Sequence, residues 1–208
     1  MRTVKKNFLA AGVFAGVLLT GCIAVFMAKT PPQGVKKTTR YDAIAGYLQD
    51  GDVICRLGDR LWSLYFKETS PLDKRFSHLG IVHITPGAIT VINAEGLALQ
   101  GKDLVNEVAL DDFLSTARSI GIYRLKNHGG ELLSRSAAEY KGRSFDWSFD
   151  LENDDKLYCT ELLYAALKNT APEIQLETVF IKELGRKIVP LEACSNSEYF
   201  KEVVYFNP

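Results

Sequence analysis

Two β-rich runs around a single turn constrain this chain more than any other feature of it. Phe76-Ser77-His78-Leu79-Gly80-Ile81-Val82-His83-Ile84 and Ile89-Thr90-Val91-Ile92-Asn93-Ala94-Glu95 are strands by composition, and Thr85-Pro86-Gly87-Ala88 joins them. A turn centred on Pro86-Gly87 sets position 83 opposite 90, 81 opposite 92, and His78 opposite Glu95. Directly opposed side chains have Cβ atoms about 4.5–5.5 Å apart, so the spacing predicts a carboxylate beside an imidazole on one sheet face. A bulge in the loop would shift that pairing, and an ordinary cross-strand contact accounts for the same residues. His83 falls on the other face by alternation and reads as structural.

A second stretch, Leu157-Tyr158-Cys159-Thr160-Glu161-Leu162-Leu163-Tyr164-Ala165-Ala166-Leu167, has the period of an amphipathic helix starting at or beside a cysteine. Counted from Cys159, Leu162, Leu163, Ala166 and Leu167 share its face, so the thiol lies on the buried side. Asp154 and Asp155 suit the N-terminus, and Glu161 in the first turn suits the helix dipole. Unpaired N–H groups and positive partial charge at a helix start favour thiolate over thiol. A buried, inert cysteine under a leucine-rich helix is the plainer reading. The hairpin gives the other one its chemistry. Glu95 holds the His78 ring, and His78 takes the proton of Cys159, which is the nucleophile, base and orienter logic of cysteine hydrolases.

Composition excludes several alternatives. With 47% hydrophobic and 11% aromatic residues, the 208-residue chain can bury the core of one compact domain plus extensions. The 25 basic and 25 acidic residues form no basic stripe interleaved with aromatics, so no nucleic-acid partner is expected. Cys22, Cys55, Cys159 and Cys194 are too few and scattered for a disulfide framework. With no CxxC, HExxH or Cys/His cluster, no metal or cofactor is expected. Cys55 and Cys194 read as core residues, with a disulfide between them left open for an oxidising compartment. No GxSxG, P-loop, dinucleotide fingerprint or internal repeat is present.

The N-terminus reads as targeting. Arg2, Lys5 and Lys6 precede an apolar run from Phe8 to Met27. Within it, Leu19-Thr20-Gly21-Cys22 resembles the lipobox of bacterial lipoproteins, which implies cleavage before Cys22 and lipid attachment to its sulfur. The apolar run continues through Ala28, long enough for an uncleaved anchor, and that alternative stays open. Either route leaves the body outside the inner membrane, in the bacterial envelope. The organisation is thus a signal peptide over 1–21, a tether over 22–40 and a catalytic domain over 41–208. Within the domain, Tyr41–Gln49 is a short helix candidate and Val53–Leu57 a strand. Leu61–Phe66 is a helix or groove wall, and Val105–Val108 and Ile120–Leu125 are further strands. Glu131–Tyr140 is a helix. His128 lies in a loop and reads as a surface residue. Phe145, Asp146, Trp147, Phe149 and Asp150 are an aromatic and acidic approach to the cysteine helix, either a groove floor or a packed loop. The tail from Val179 to Phe206 carries no interpretable motif.

Four pieces in order carry a family resemblance: Gly51-Asp52-Val53-Ile54, Ser77-His78-Leu79-Gly80-Ile81-Val82, Asn93-Ala94-Glu95-Gly96 and Tyr158-Cys159-Thr160-Glu161-Leu162. Together they resemble the YiiX/YaeF-like proteins, a circularly permuted branch of the NlpC/P60 papain-like cysteine hydrolases, in which histidine precedes cysteine. The resemblance implies an α+β permuted papain-like fold, a curved antiparallel sheet with the catalytic cysteine at a helix N-terminus. It implies Cys159 as nucleophile, His78 as general base and then acid, and Glu95 as the group orienting His78. Tyr158 would be an oxyanion or substrate-binding residue, and the Cys159 N–H would help bind the oxyanion. The implied activity is amide hydrolysis through an acyl-thioester, on cell-wall peptides or N-acyl amides. A lipid acyltransferase or thioesterase on the same triad is the close alternative, and a non-catalytic envelope binding module the distant one. The partners are then a small peptide, acyl-amide or lipid substrate, and a membrane through the N-terminal lipid or anchor.

Overall fold

The computed structural model describes residues 38–59, 67–68, 70, 72–96, 103–127 and 129–207. Cys22 with its lipobox, the stretch Leu61–Phe66 and His128 lie outside the described residues. Those described fall within one unit, Lys37–Pro208.

In chain order the elements are α1 (Thr38–Ala45), β1 (Val53–Gly58), β2 (His78–Thr85), β3 (Ala88–Glu95), β4 (Leu104–Ala109) and α2 (Leu110–Leu114). Then follow β5 (Ala117–Leu125), α3 (Gly130–Ala138), β6 (Ser144–Phe145), β7 (Lys156–Leu157) and α4 (Cys159–Thr170). The tail adds a hairpin, β8 (Val179–Ile181) and β9 (Arg186–Ile188), a 3-10 turn (Leu191–Ser195), and β10 (Phe200–Phe206). Eight strands form one sheet in the order β10-β5-β1-β2-β3-β4-β6-β7. All its ladders are antiparallel except β6–β7. The class is α+β.

The central hairpin forms in the register that its turn dictates, with Ile81 opposite Ile92 and His83 opposite Thr90. Gly87 at φ 89° supplies the left-handed residue that this turn needs. Alternation then sends the strand residues to two cores. One face carries Val53, Cys55, Leu79, Ile81, Ile92 and Ala94 against α3 and α4, and the other carries Ile54, Val82 and Val91 against α1 and α2. Helix α4 buries Leu162, Leu163, Ala166 and Leu167 as the sequence periodicity requires. Each such leucine contributes about 1.5–3 kcal/mol of transfer free energy.

The start of helix α3 meets the turn before β1 through backbone. A Cβ on Gly51 would lie 2.0 Å from the Gly130 carbonyl oxygen, so the turn before β1 and the first residue of α3 touch with no side chain between them. Gly51 is also left-handed, at φ 78°. This contact fixes where β1 enters the sheet, and with it the position of every residue paired to β2.

Candidate active site

The nucleophile candidate is placed by the way α4 starts. Tyr158 is extended (φ −96°, ψ 174°), and the helix begins at Cys159. Glu161 reaches back so that its Oε2 accepts the Tyr158 N–H at 3.2 Å, as an N3 carboxyl does in a capping box. Thr160 Oγ1 donates to the Val189 carbonyl at 2.6 Å, and the Val189 N–H donates to the Tyr158 hydroxyl at 3.0 Å. The first turn of α4 is thereby tied on one side to the segment after β9.

On its other side α4 meets the central hairpin. The β2–β3 ladder runs from Thr85/Ala88 to Ile81/Ile92 and stops there. Beyond that point the backbone N–H of Leu79 faces the Cys159 sulfur, as do the N–H groups of Thr160 and Cys159 itself. The sulfur therefore lies against β2, one residue along from His78. All three N–H groups favour thiolate, but burial outweighs them and pushes the thiol up to about 11. The helix-start argument for a resting thiolate is corrected accordingly. The sulfur is set among N–H donors, yet the free thiol holds its proton at neutral pH.

His78 opens β2 opposite Arg56 of β1. Its ring packs against Phe113 of α2, with centroids 5.7 Å apart, and its Nε2 is 3.0 Å from Asn93 Oδ1. Asn93 is itself held, donating from Nδ2 to Asn106 Oδ1 at 2.9 Å. Burial first, then the Arg56 cation, pull His78 down to about 4, while Glu95 and the Asn93 bond act the other way. The imidazole is thus neutral at physiological pH, the form in which it can accept a proton.

Glu95 has a different place from the one predicted. It accepts from Arg56 Nη2 at 2.8 Å, forming an ion pair alongside His78. The guanidinium also lies over the Phe113 ring, 4.8 Å from its centroid, and bonds the Thr116 hydroxyl. The ring partner of His78 is Asn93, which corrects the expectation that Glu95 holds it. The physical reason is the end of the ladder. With the strands no longer paired past Ile81/Ile92, the diagonal residue two positions back meets the imidazole, a distance long side chains span readily. Asn93 was detectable in principle, since it shares the Glu95 face at the next alternate position.

Tyr158 is likewise corrected. It is buried, its hydroxyl is occupied by Val189, and its ring lies 5.1 Å from that of Phe149. Its place is beneath the helix start and not in an open pocket. The acidic and aromatic approach is a packed turn. Phe145 and Phe149 are core residues, and buried Asp146 accepts the N–H groups of Ser148 and Asp150. Trp147 remains half exposed, lying on Gly96 just past Glu95, where an added Cβ would come within 2.7 Å of its ring. His83 is bonded to Glu107, away from the site. Among the described residues, no group of three or more His, Cys, Asp or Glu is placed to hold a metal ion, and no helix is long and apolar enough to cross a membrane.

The cysteine at the helix start, the histidine opening a strand earlier in the chain and the amide on the next strand all lie within a stretch that a family model matches. The model, described as a permuted papain-like amidase enzyme of the YaeF/YiiX type, family C92, covers residues 47–204. The chain belongs to this family. Among solved structures, the chain is similar to one described as metalloprotein YiiX from Escherichia coli O157:H7. The two share 19% identity, 77% of this chain and 98% of that one, and a TM-score of 0.64. At that identity the likeness bears on the fold alone, and it agrees with the permuted papain-like topology of the family. Among proteins with curated descriptions, none matches the chain. As a member of an amidase family, the protein is a hydrolase of amide bonds.

Proposed function

We propose that the protein is a membrane-tethered cysteine amidase of the bacterial envelope. In this reading Cys159 is the nucleophile, His78 the general base and then acid, and Asn93 the residue that orients His78. The observation that carries it is the position of the Cys159 sulfur, against the N–H of the residue following His78, while Asn93 occupies the Nε2 side of that ring. In this reading Nδ1, the ring nitrogen not bonded to Asn93, takes the thiol proton.

Since the resting pair is thiol and neutral imidazole, the proton moves as the bond forms. His78 takes the Cys159 proton while the sulfur adds to the amide carbonyl carbon, and the Cys159 N–H faces the developing oxyanion. Collapse expels the amine with the proton from His78 and leaves an acyl-thioester. A water activated by the same imidazole then hydrolyses the thioester and regenerates the thiol. Substrates are cell-wall peptides or N-acyl amides, and the N-terminal Leu19-Thr20-Gly21-Cys22 motif supports lipid attachment at Cys22.

Alkylation tests the site. Iodoacetamide is expected to modify Cys159 at least tenfold faster than buried Cys55 or Cys194 in the folded protein at neutral pH. The Cys159 rate should drop in His78→Ala. Equal rates at the three cysteines, together with no release of amine from cell-wall fragments or acyl amides by mass spectrometry, would instead favour a non-catalytic binding module.

A further inference from the structure

Cys55 and Cys194 are free thiols in the structure, and their sulfurs stand 3.1 Å apart. That is closer than two non-bonded sulfurs normally pack, and both residues are essentially inaccessible to solvent, at 0% and 1% exposure. Cys55 sits mid-strand in β1, opposite Leu79 of β2 and Gly121 of β5. Cys194 lies in the 3-10 turn of the tail, its Sγ 3.0 Å from the Leu191 carbonyl. Neither thiol has a part in the amidase chemistry.

We propose that Cys55 and Cys194 form a disulfide that fastens the tail to the sheet directly behind the candidate nucleophile. The location gives the bond its consequence. Cys55 pairs with Leu79, whose N–H faces the Cys159 sulfur. Cys194 lies five residues after Val189, which holds Tyr158 and Thr160 at the start of α4. A cystine here joins the two supports of the nucleophile covalently, and leaves Cys159 as the free thiol among the described residues.

The step needs an oxidant, which is a disulfide-bearing one, either glutathione disulfide or a protein disulfide donor. One thiolate attacks the donor's S–S bond to give a mixed disulfide and release one donor thiol. The second cysteine then displaces the other donor thiol, so the two cysteines lose two electrons and two protons and the donor gains them. Because both sulfurs are buried, exchange proceeds through the opened or folding chain, and the finished bond is shielded from reductants. The cytosol keeps such pairs reduced, whereas compartments outside it allow them to close.

The test is a disulfide map of the full-length chain, purified in detergent and refolded with glutathione disulfide. Free thiols are blocked with iodoacetamide under denaturing conditions before digestion with trypsin, without reductant. The expected species joins peptides 41–56 and 188–201 and is lighter by two hydrogen atoms than their sum, while peptide 157–168 carries alkylated Cys159. Closing a loop of this length should raise the melting temperature by roughly 5–15 °C over the reduced protein. Cys55→Ser should abolish that difference. Recovery of Cys55 and Cys194 as separate alkylated peptides, a link from either one to Cys159, or an unchanged melting temperature would overturn the proposal. None of these readouts depends on Cys159 being catalytic, so the disulfide and the amidase reading fail separately.

Discussion

Asn93 and Glu95 share one face of β3 two positions apart, and each sits beside His78 in a different capacity. Asn93 bonds the ring at Nε2, while Glu95 pairs with Arg56 and lends the ring only its charge. Removing the bond should therefore matter more than neutralising the charge. Asn93→Ala is expected to lower kcat/KM on a released-amine assay by at least about 10-fold, because the imidazole loses the bond that fixes its orientation and tautomer. Glu95→Gln keeps its side-chain shape and should cost less than Asn93→Ala. A larger loss in Glu95→Gln would return the orienting role to that residue. His78 and Cys159, the proposed base and nucleophile, could be singled out in the sequence because strand alternation and helical periodicity act locally. Asn93 was missed because the choice between opposite and diagonal partners depends on where the ladder ends, and turn arithmetic does not contain that. The thiol misled for a similar reason. The N–H donors at a helix start are visible in sequence, but the desolvation of the sulfur that outweighs them arises only in the packed molecule.

Helix α4 carries its own titration. Glu161 is 1% exposed, and burial followed by the nearby acidic residues raises its carboxyl from 4.5 to about 8. One oxygen accepts the Tyr158 N–H, and the other, Oε1, has no hydrogen-bond partner among the described residues. The folded protein thus retains a proton that the unfolded chain releases above its ordinary carboxylate pKa. Between those two values the native state binds more protons, so stability is full below about pH 4.5 and is lost as pH rises towards 8. Glu161→Gln keeps an oxygen for the Tyr158 N–H and removes the ionisation. In urea melts, wild type should lose on the order of 1 kcal/mol or more relative to this variant between mildly acidic and mildly alkaline pH. Parallel curves would show that Glu161 ionises in the fold without cost. Among elements, the central hairpin and α4 were legible because each is written in a local period. The tail was not. Strands β8 and β9 are three residues long, too short to show alternation, and β10 finds its partner in β5, far back along the chain.

At the scale of the molecule, the histidine strand, the amide strand and the cysteine helix come in the order that permutation gives, and the family model spans them all. The proposed lipid attachment at Cys22 makes a separate prediction. If Cys22 is acylated, the mature protein should lack the first twenty-one residues and carry the mass of a lipid on its new N-terminus. An intact Met1 in membrane fractions would mean an uncleaved anchor instead. The bonds from Val189 to Tyr158 and Thr160 bear on how the enzyme is made. A ribosome that has just finished α4 has already delivered every side chain of the proposed chemistry, yet the first turn of that helix still lacks its outer support. Competence then arrives only near the end of synthesis, so messages truncated after the cysteine helix should yield polypeptides that hold the full reactive set and remain silent.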